Sequence, residues 1–288
     1  MKGSVPFQNI LVWNLKSTLR WQYFLYPVLA FCFIGWSSSL YVNRLLLDIE
    51  KNVWDGVFIS FAGPGVWSTS IVEMFRWFVP YLLFFYLVGD LAEGELSLRG
   101  YAIIPAIGSR LHWWLGKVIT LFIFAIGYSL FGVCVVILSA ALILPWNTQL
   151  SPFLLELWQD TEVLSISQLI AWITILVSNT LFAVALLQIT VSIWLRKPFY
   201  AFAFVSTVMV LSWLAGIESP NIVRWLPGSQ SMLLRHTEFD SSVLNFPLAW
   251  SVIYNLVVTL LVFLGSIRYM LFLDISIPKT DIRMEEKR

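Results

Sequence analysis

Charge is scarce in this chain of 288 residues: 12% are Asp, Glu, Lys or Arg, while 59% are hydrophobic. An ordinary soluble domain carries about 25% charge and about 45–50% apolar residues, so a water-facing surface is excluded for most of this chain. Cysteine and histidine are almost missing, two of each. Cys32 and Cys134 both fall inside apolar runs, which leaves neither a disulfide framework nor a cysteine metal site. His112 and His236 lie in loops on opposite sides of the bilayer, so they cannot meet in a catalytic or metal cluster. HExxH, GxSxG and CxxC are absent, and Gly116-Lys117 is followed by Val118, with no Gly five residues before Gly116. That pattern is no phosphate-binding loop. Catalysis and ATP hydrolysis by this chain are therefore not expected.

What is present is length of apolar sequence. A membrane-crossing helix needs about 20 apolar residues for a hydrocarbon core about 30 Å thick. Runs of that size occur at 23–42, 71–89, 114–144, 168–195, 199–217 and 249–273. They lack strict alternation and exceed the about 10 residues of a barrel strand, so helices are predicted. No polar gap is long enough for a soluble domain, and 1–288 reads as one transmembrane domain. The fold expected is all-α and polytopic, with six transmembrane helices in 23–273, an outer segment at 218–248 and a tail at 274–288. No cleavable signal peptide is expected, since the first apolar run follows about twenty mostly amphipathic residues and is itself a full span.

An even number of spans puts both termini on one side. With cytoplasmic termini that side collects thirteen of the 18 basic residues, leaving Arg44, Lys51, Arg76, Arg224 and Arg235 opposite. The excess of basic residues inside predicts cytoplasmic termini and a multi-pass plasma-membrane protein.

Ahead of the first span, Phe7, Ile10, Leu11, Leu15 and Leu19 recur at helical spacing, which predicts an amphipathic interfacial helix within 1–22. The outer stretch 43–70 is too interrupted to span and is expected to lie in the outer interface. The segment 218–248, broken by Pro220, Pro227, Gly228 and Pro247, suits short helices that dip into the bilayer and return. Within the spans, Glu73 and Arg76 stand three apart on one helix face and are a possible intramembrane pair, near enough to the boundary for a structural role. Asn179, Gln188 and Asn255 read as interhelical hydrogen-bond glue. Pro80 is expected to loosen the second span.

The loop 90–113, "DLAEGELSLRGYAIIPAIGSRLHW", carries acids at Glu93 and Glu95 and breaks at Pro105 and Gly108. It re-enters with Trp113, Trp114 and Lys117, residues suited to anchoring at a membrane interface. Leu98, Tyr101, Ile103 and Ile104 are apolar in a loop with no lipid to face, and so ask for a partner.

The "EGE" after the second span, followed by "GSR..WW.GK" at the third, resembles the permease subunits of bacterial ABC transporters of the ABC-2 type. The order of amphipathic helix, six spans and a Pro-broken outer segment before the last span is similar too. The resemblance implies a non-catalytic permease for export of a peptide, lipid-like or drug-like substrate, or for immunity to one, in a bacterial plasma membrane. It implies ABC ATPase subunits that bind ATP and Mg, with no cofactor on this chain, and a second permease copy or homologue as dimer partner. Nucleic acid is not an expected partner. By the same resemblance 97–108 would be the ATPase-coupling element, with Gly108, Ser109 and Arg110 at its end and acids Glu93 and Glu95 before it. A stand-alone secondary transporter or channel, or a non-transporting membrane sensor or assembly protein, are the alternatives.

Overall fold

Five serines and asparagines set where helices begin. Ser70, Ser109, Ser151 and Ser165 each turn a side-chain oxygen back onto a first-turn backbone N–H, and Asn52 does so as half of a capping box with Asp55. The computed structural model describes residues 6–18, 22–45, 50–89, 91–92, 96, 104, 107–158, 164–240 and 246–272. The helices in chain order are α1 (Phe7–Thr18), α2 (Gln22–Leu45), α3 (Val53–Phe61), α4 (Ile71–Val88), α5 (Arg110–Ala140), α6 (Pro152–Leu157), α7 (Ile166–Leu195), α8 (Pro198–Glu218) and α9 (Leu248–Phe272). Three 3-10 turns, Pro220–Trp225, Pro227–Ser231 and Leu233–Arg235, separate α8 from α9. Among the described residues the one β feature is an isolated bridge between His236 and Phe246.

Six of these helices, α2, α4, α5, α7, α8 and α9, are long and apolar enough to cross a membrane. The all-α, six-span fold expected from the apolar runs is the fold found. The third span differs in register: α5 starts at Arg110, four residues ahead of Trp114, because Ser109 caps it there, and it ends at Ala140 rather than Leu144. Helices α7 and α8 are joined by Arg196 and Lys197 alone, with Arg196 in the left-handed region at φ 52°. Two cations at the end of α7 also suit its negative dipole end.

The centre of the bundle is α7, 67% of whose apolar window is buried, against 17% for α9 at the edge. Aromatic residues fill the space between α2, α4 and α5: Tyr128 lies 5.3 Å from Phe31 and 5.0 Å from Phe84, ring centre to ring centre. The α2–α5 approach is close because of two glycines. A Cβ on Gly132 would sit 2.4 Å from the Phe31 ring, and one on Gly35 would meet Ser139 Oγ at 2.1 Å and Val136 backbone at 3.1 Å. Such small-residue contacts replace the hydrophobic drive that lipid does not supply between helices. Polar glue does the rest: Gln188 Nε2 donates to Phe85 O at 2.9 Å, and Asn255 Nδ2 donates to Thr180 Oγ1, next to Asn179, at 3.0 Å. Pro80 leaves α4 unbroken, and the Tyr128 hydroxyl donates to its carbonyl at 2.8 Å.

The outer stretch expected in the interface is instead an internal element. In α3, Val53, Asp55, Val57 and Phe58 are completely buried. The helix enters the bundle because its polar end is satisfied by protein: Asn52 Nδ2 donates to Gln149 O at 2.9 Å, and Trp54 Nε1 donates to Asn147 O at 2.8 Å. An apolar helix with its cap satisfied internally gains more from burial than from a headgroup layer.

The two ends of the bundle are therefore distinct. One carries α1, the start of α5 and the α7–α8 joint. The other, termed the plug end, carries α3, α6 and the 3-10 turns.

Candidate functional site

At the first end, α1 lies on the start of α5. Ile10 is 4% exposed and Asn14 fully buried, and both face Gly116, where an added Cβ would meet Asn14 Nδ2 at 3.1 Å and Ile10 at 3.2 Å. Phe7 packs on His112 with ring centres 6.2 Å apart. The amphipathic helix is thus docked on protein through one face, with Val12 and Trp13 exposed on the other.

Of the residues singled out in the loop, Glu93, Glu95, Leu98, Tyr101 and Ile103 lie outside the described residues. Ile104 is buried in the chain's own core, as is Ile107, so Ile104 is not an exposed contact for a partner. Gly108, at φ 79°, then turns the chain into the Ser109 cap of α5. Arg110 Nη1 donates to Leu271 O at 3.1 Å on the exposed rim. Trp113 and Trp114, expected as lipid-interface anchors, are covered by protein at 1% and 0% exposure. The physical reason is the earlier start of α5, which turns both indoles inward; Trp114 Nε1 donates to Ser266 Oγ of α9 at 2.9 Å. Lys117, also expected as an anchor, is buried with its Nζ 5.6 Å from the Trp13 ring centre and 5.8 Å from that of Trp113. These three hold helices together.

The plug end carries a polar layer that composition did not reveal. The turns containing Gly228, Ser229, Gln230, Ser231 and Arg235 are buried between α4, α7, α8 and α9. Arg235 is fully enclosed and has no carboxylate within ion-pair distance among the described residues. Its Nη1 donates to Ser212 O and to Ser229 Oγ, both at 2.7 Å, and its Nε to Pro64 O at 3.2 Å. Gly216 makes room: a Cβ there would meet Arg235 Nη2 at 2.4 Å. Burial lowers the guanidinium to about 9.

The neighbouring His236 is equally enclosed. Its Nε2 lies 2.8 Å from Ser251 Oγ, and Ser251 donates to Gln230 Oε1 at 2.9 Å. Gln230 is itself oriented, since its Nε2 donates to Arg224 O and Leu226 O. With its one proton given to Gln230, Ser251 must accept from His236 Nε2–H, which fixes the tautomer. Nδ1 faces Leu233 O at 3.3 Å, so a second proton would find an acceptor there. Burial nevertheless pulls the imidazole down to about 4, hydrogen bonding to the Leu233 and Met232 backbone opposing and the Arg235 charge reinforcing the shift. The Ser–His pair is not poised as a nucleophile and base: the serine proton points elsewhere, no carboxylate orients Nδ1, and both residues are sealed. It ties the plug to α9.

Nearby, Asp55 accepts from Asn52 N at 2.7 Å and from Ser151 Oγ, linking α3 to the cap of α6. Burial raises its carboxyl, with the Ser151 and Asn52 bonds opposing. A partial signal for this layer existed in "SQSMLLRH", where five polar residues interrupt an apolar run between prolines. Nothing local said that they would be dry.

Glu73 and Arg76 both reach the plug end, yet they form no ion pair within 4 Å among the described residues. Glu73 Oε2 accepts from Ser68 Oγ at 2.7 Å, and the Arg76 guanidinium stacks on the Tyr41 ring, 4.8 Å from its centre. No group of three or more His, Cys, Asp or Glu among the described residues is placed to hold a metal.

The helices and their connections thus define a class, the multi-pass helical membrane proteins. Compared with protein-family models, with curated proteins and with solved structures, the chain matches none of them.

Proposed function

We propose that the chain is the permease subunit of an ATP-driven ABC-2 type exporter, and that separate ATPase subunits dock at the end bearing α1. The observation that supports this most is the construction of that end. Helix α5 has 31 residues. At 1.5 Å per residue it is about 46 Å long, some 16 Å more than the hydrocarbon core. Its first two turns, holding Arg110, His112 and Lys117, are the part least suited to lipid, and α1 is packed beside them. The connection between the second and third spans arrives at this projecting platform, where a soluble partner could grip it. In this reading the termini are cytoplasmic, on the strength of the basic-residue distribution. The exposed α8 and α9 offer faces for a second permease, and a peptide, lipid-like or drug-like cargo passes between the copies.

The test is to replace residues 97–103, which leaves Leu96 on the core, with a Gly/Ser linker of equal length and purify the complex from native membranes. The wild-type chain should bring down a nucleotide-binding protein whose ATPase activity it alters, and the linker variant should not. Equal recovery of ATPase with both would overturn the docking assignment.

A second reading, a transporter that works alone, draws support from the re-entrant α3 and the 3-10 turns, since discontinuous segments often line transport sites. ATP-independent uptake by the purified chain in proteoliposomes would favour it over the first.

A further inference from the structure

Arg76 is out of place on ordinary grounds. It sits in the second turn of α4, is 8% exposed, and makes no hydrogen bond among the described residues; its Nε is buried without any acceptor. A guanidinium has five N–H donors, and burying even the one on Nε without an acceptor is costly. Its guanidinium lies against the face of Tyr41 and feels the Glu73 charge nearby, yet neither contact gives the donor edges a hydrogen bond. A charge kept in a span under such terms is a functional signal.

Beside it is a small open pocket of about 110 Å³. Arg76, Glu73 and Tyr41 contribute its polar wall, and Leu45, Ile59 and Leu234 its apolar one. The Glu73 carboxylate has roughly four acceptor positions, of which Ser68 uses one. The pocket thus presents a cation rich in donors and an anion rich in acceptors, held apart rather than paired. A simple anion would satisfy Arg76 and leave Glu73 facing it; a simple cation would do the reverse. A zwitterion answers both.

The surroundings decide where that zwitterion comes from. The pocket lies between the last turns of α2, the end of α3 and the first two turns of α4, with Leu234 closing it, where two of the apolar spans have their ends. Leu45, Val72 and Phe75 on these turns are more than half exposed and apolar, a surface along which acyl chains can run.

We propose that this pocket binds the headgroup of a zwitterionic phospholipid carrying a primary ammonium, its phosphate on Arg76 and its ammonium on Glu73. Arg suits phosphate because its planar fork donates two parallel hydrogen bonds to adjacent oxygens. The ammonium supplies the three donors that a carboxylate lacks. The inference stands apart from the transport reading, for it needs neither ATPase nor cargo.

The experiment uses the full chain, purified in detergent, delipidated and titrated in native mass spectrometry. The probes are phosphatidylethanolamine, phosphatidylglycerol with the same acyl chains, and free phosphorylethanolamine. The wild-type chain should hold phosphatidylethanolamine about tenfold more tightly than phosphatidylglycerol, the scale of one charge-assisted hydrogen bond. Arg76→Gln should weaken phosphatidylethanolamine by roughly tenfold or more. Glu73→Gln leaves Arg76 in place and should bring the two lipids level by weakening phosphatidylethanolamine alone; this variant carries the test if Arg76→Gln does not fold. Equal affinity of the wild type for both lipids, or phosphatidylethanolamine binding indifferent to Glu73→Gln, would overturn the site. Free phosphorylethanolamine binding as tightly as the lipid would overturn the assignment to a membrane lipid. Failure of the wild-type chain to capture an ATPase, with lipid selectivity intact, would count against the transport reading alone.

Discussion

Two arginines show how differently the ends of this molecule are built. Arg235 at the plug end is sealed and spends its donors on Ser212 O, Ser229 Oγ and Pro64 O, joining three separate stretches of chain. Arg110 at the other end makes a bond to Leu271 O on an exposed rim. The same side chain is a structural bolt in one place and a solvated fringe in the other. The difference lies in the surroundings: around Arg235 carbonyls and a hydroxyl replace water, so a lost partner leaves a dry polar group. At the α1 end water takes the place of a missing bond. The plug end is therefore expected to be rigid and costly to alter, and the α1 end free to exchange contacts with another molecule.

The harshest test of that contrast is Arg235→Ala. It removes the donors of several buried acceptors and leaves a cavity beside Gly216, and a loss of about 3 kcal/mol or more is expected. Thermal unfolding followed by tryptophan fluorescence in detergent would read it, with Arg110→Ala as the comparison at about 0.5 kcal/mol or less. A similar shift for both arginines would erase the distinction between the ends.

Next in size is a pH effect confined to the plug. His236 sits near 4 when folded, below the ordinary 6.5. The unfolded chain thus binds the extra proton first, so the stability from a neutral ring is fully present above pH 6.5 and is lost as pH falls towards 4, by up to about 3 kcal/mol. Unfolding measured from pH 7.5 to 4.5 should show that slope in the wild type and a shallower one in His236→Gln. Matching slopes would mean that His236 is not sealed.

Between the ends, Gly35→Val should force α2 from α5 and destabilise by about 1–3 kcal/mol, since Ser139 and Val136 backbone already crowd the site. Trp114→Phe keeps most of the packing but gives up the bond to Ser266, and about 1 kcal/mol is expected from the same unfolding assay. A silent Trp114→Phe would show that the bond to Ser266 adds nothing to the α5–α9 contact. Smallest of all on stability should be the Gly/Ser replacement of residues 97–103, which spares Leu96 on the core and is expected to leave the unfolding temperature within about a degree while removing the partner. A large drop would show that the segment belongs to the fold and not to a docking surface.

How much of this was legible in advance depends on the range of the interaction concerned. The six spans were, because crossing lipid is settled by local length and apolarity, and a helix satisfies its own backbone. Helix α1 was also legible, from the spacing of Phe7, Ile10 and Leu11. The inward turn of Trp113 and Trp114 was not: a tryptophan near a helix start reads as an anchor until the Ser109 cap fixes which face it takes. Glu73 and Arg76 were rightly placed on one helix face, but spacing cannot tell that Ser68 and Tyr41 would draw them apart.

What the sequence by itself determined, then, is the class of the molecule, an all-α protein of six apolar helices, with an uneven spread of basic residues between its two sides. Only the tertiary structure decided that α3 is internal, that Arg235 and His236 are dry, that Ile104 is covered, and that Arg76 stands beside a pocket without a hydrogen bond among the described residues. The reason is the same in each case. Whether a polar or apolar side chain ends in lipid, water or protein depends on residues far along the chain, as Arg235 depends on Pro64 and Ser212, and no local pattern encodes that meeting.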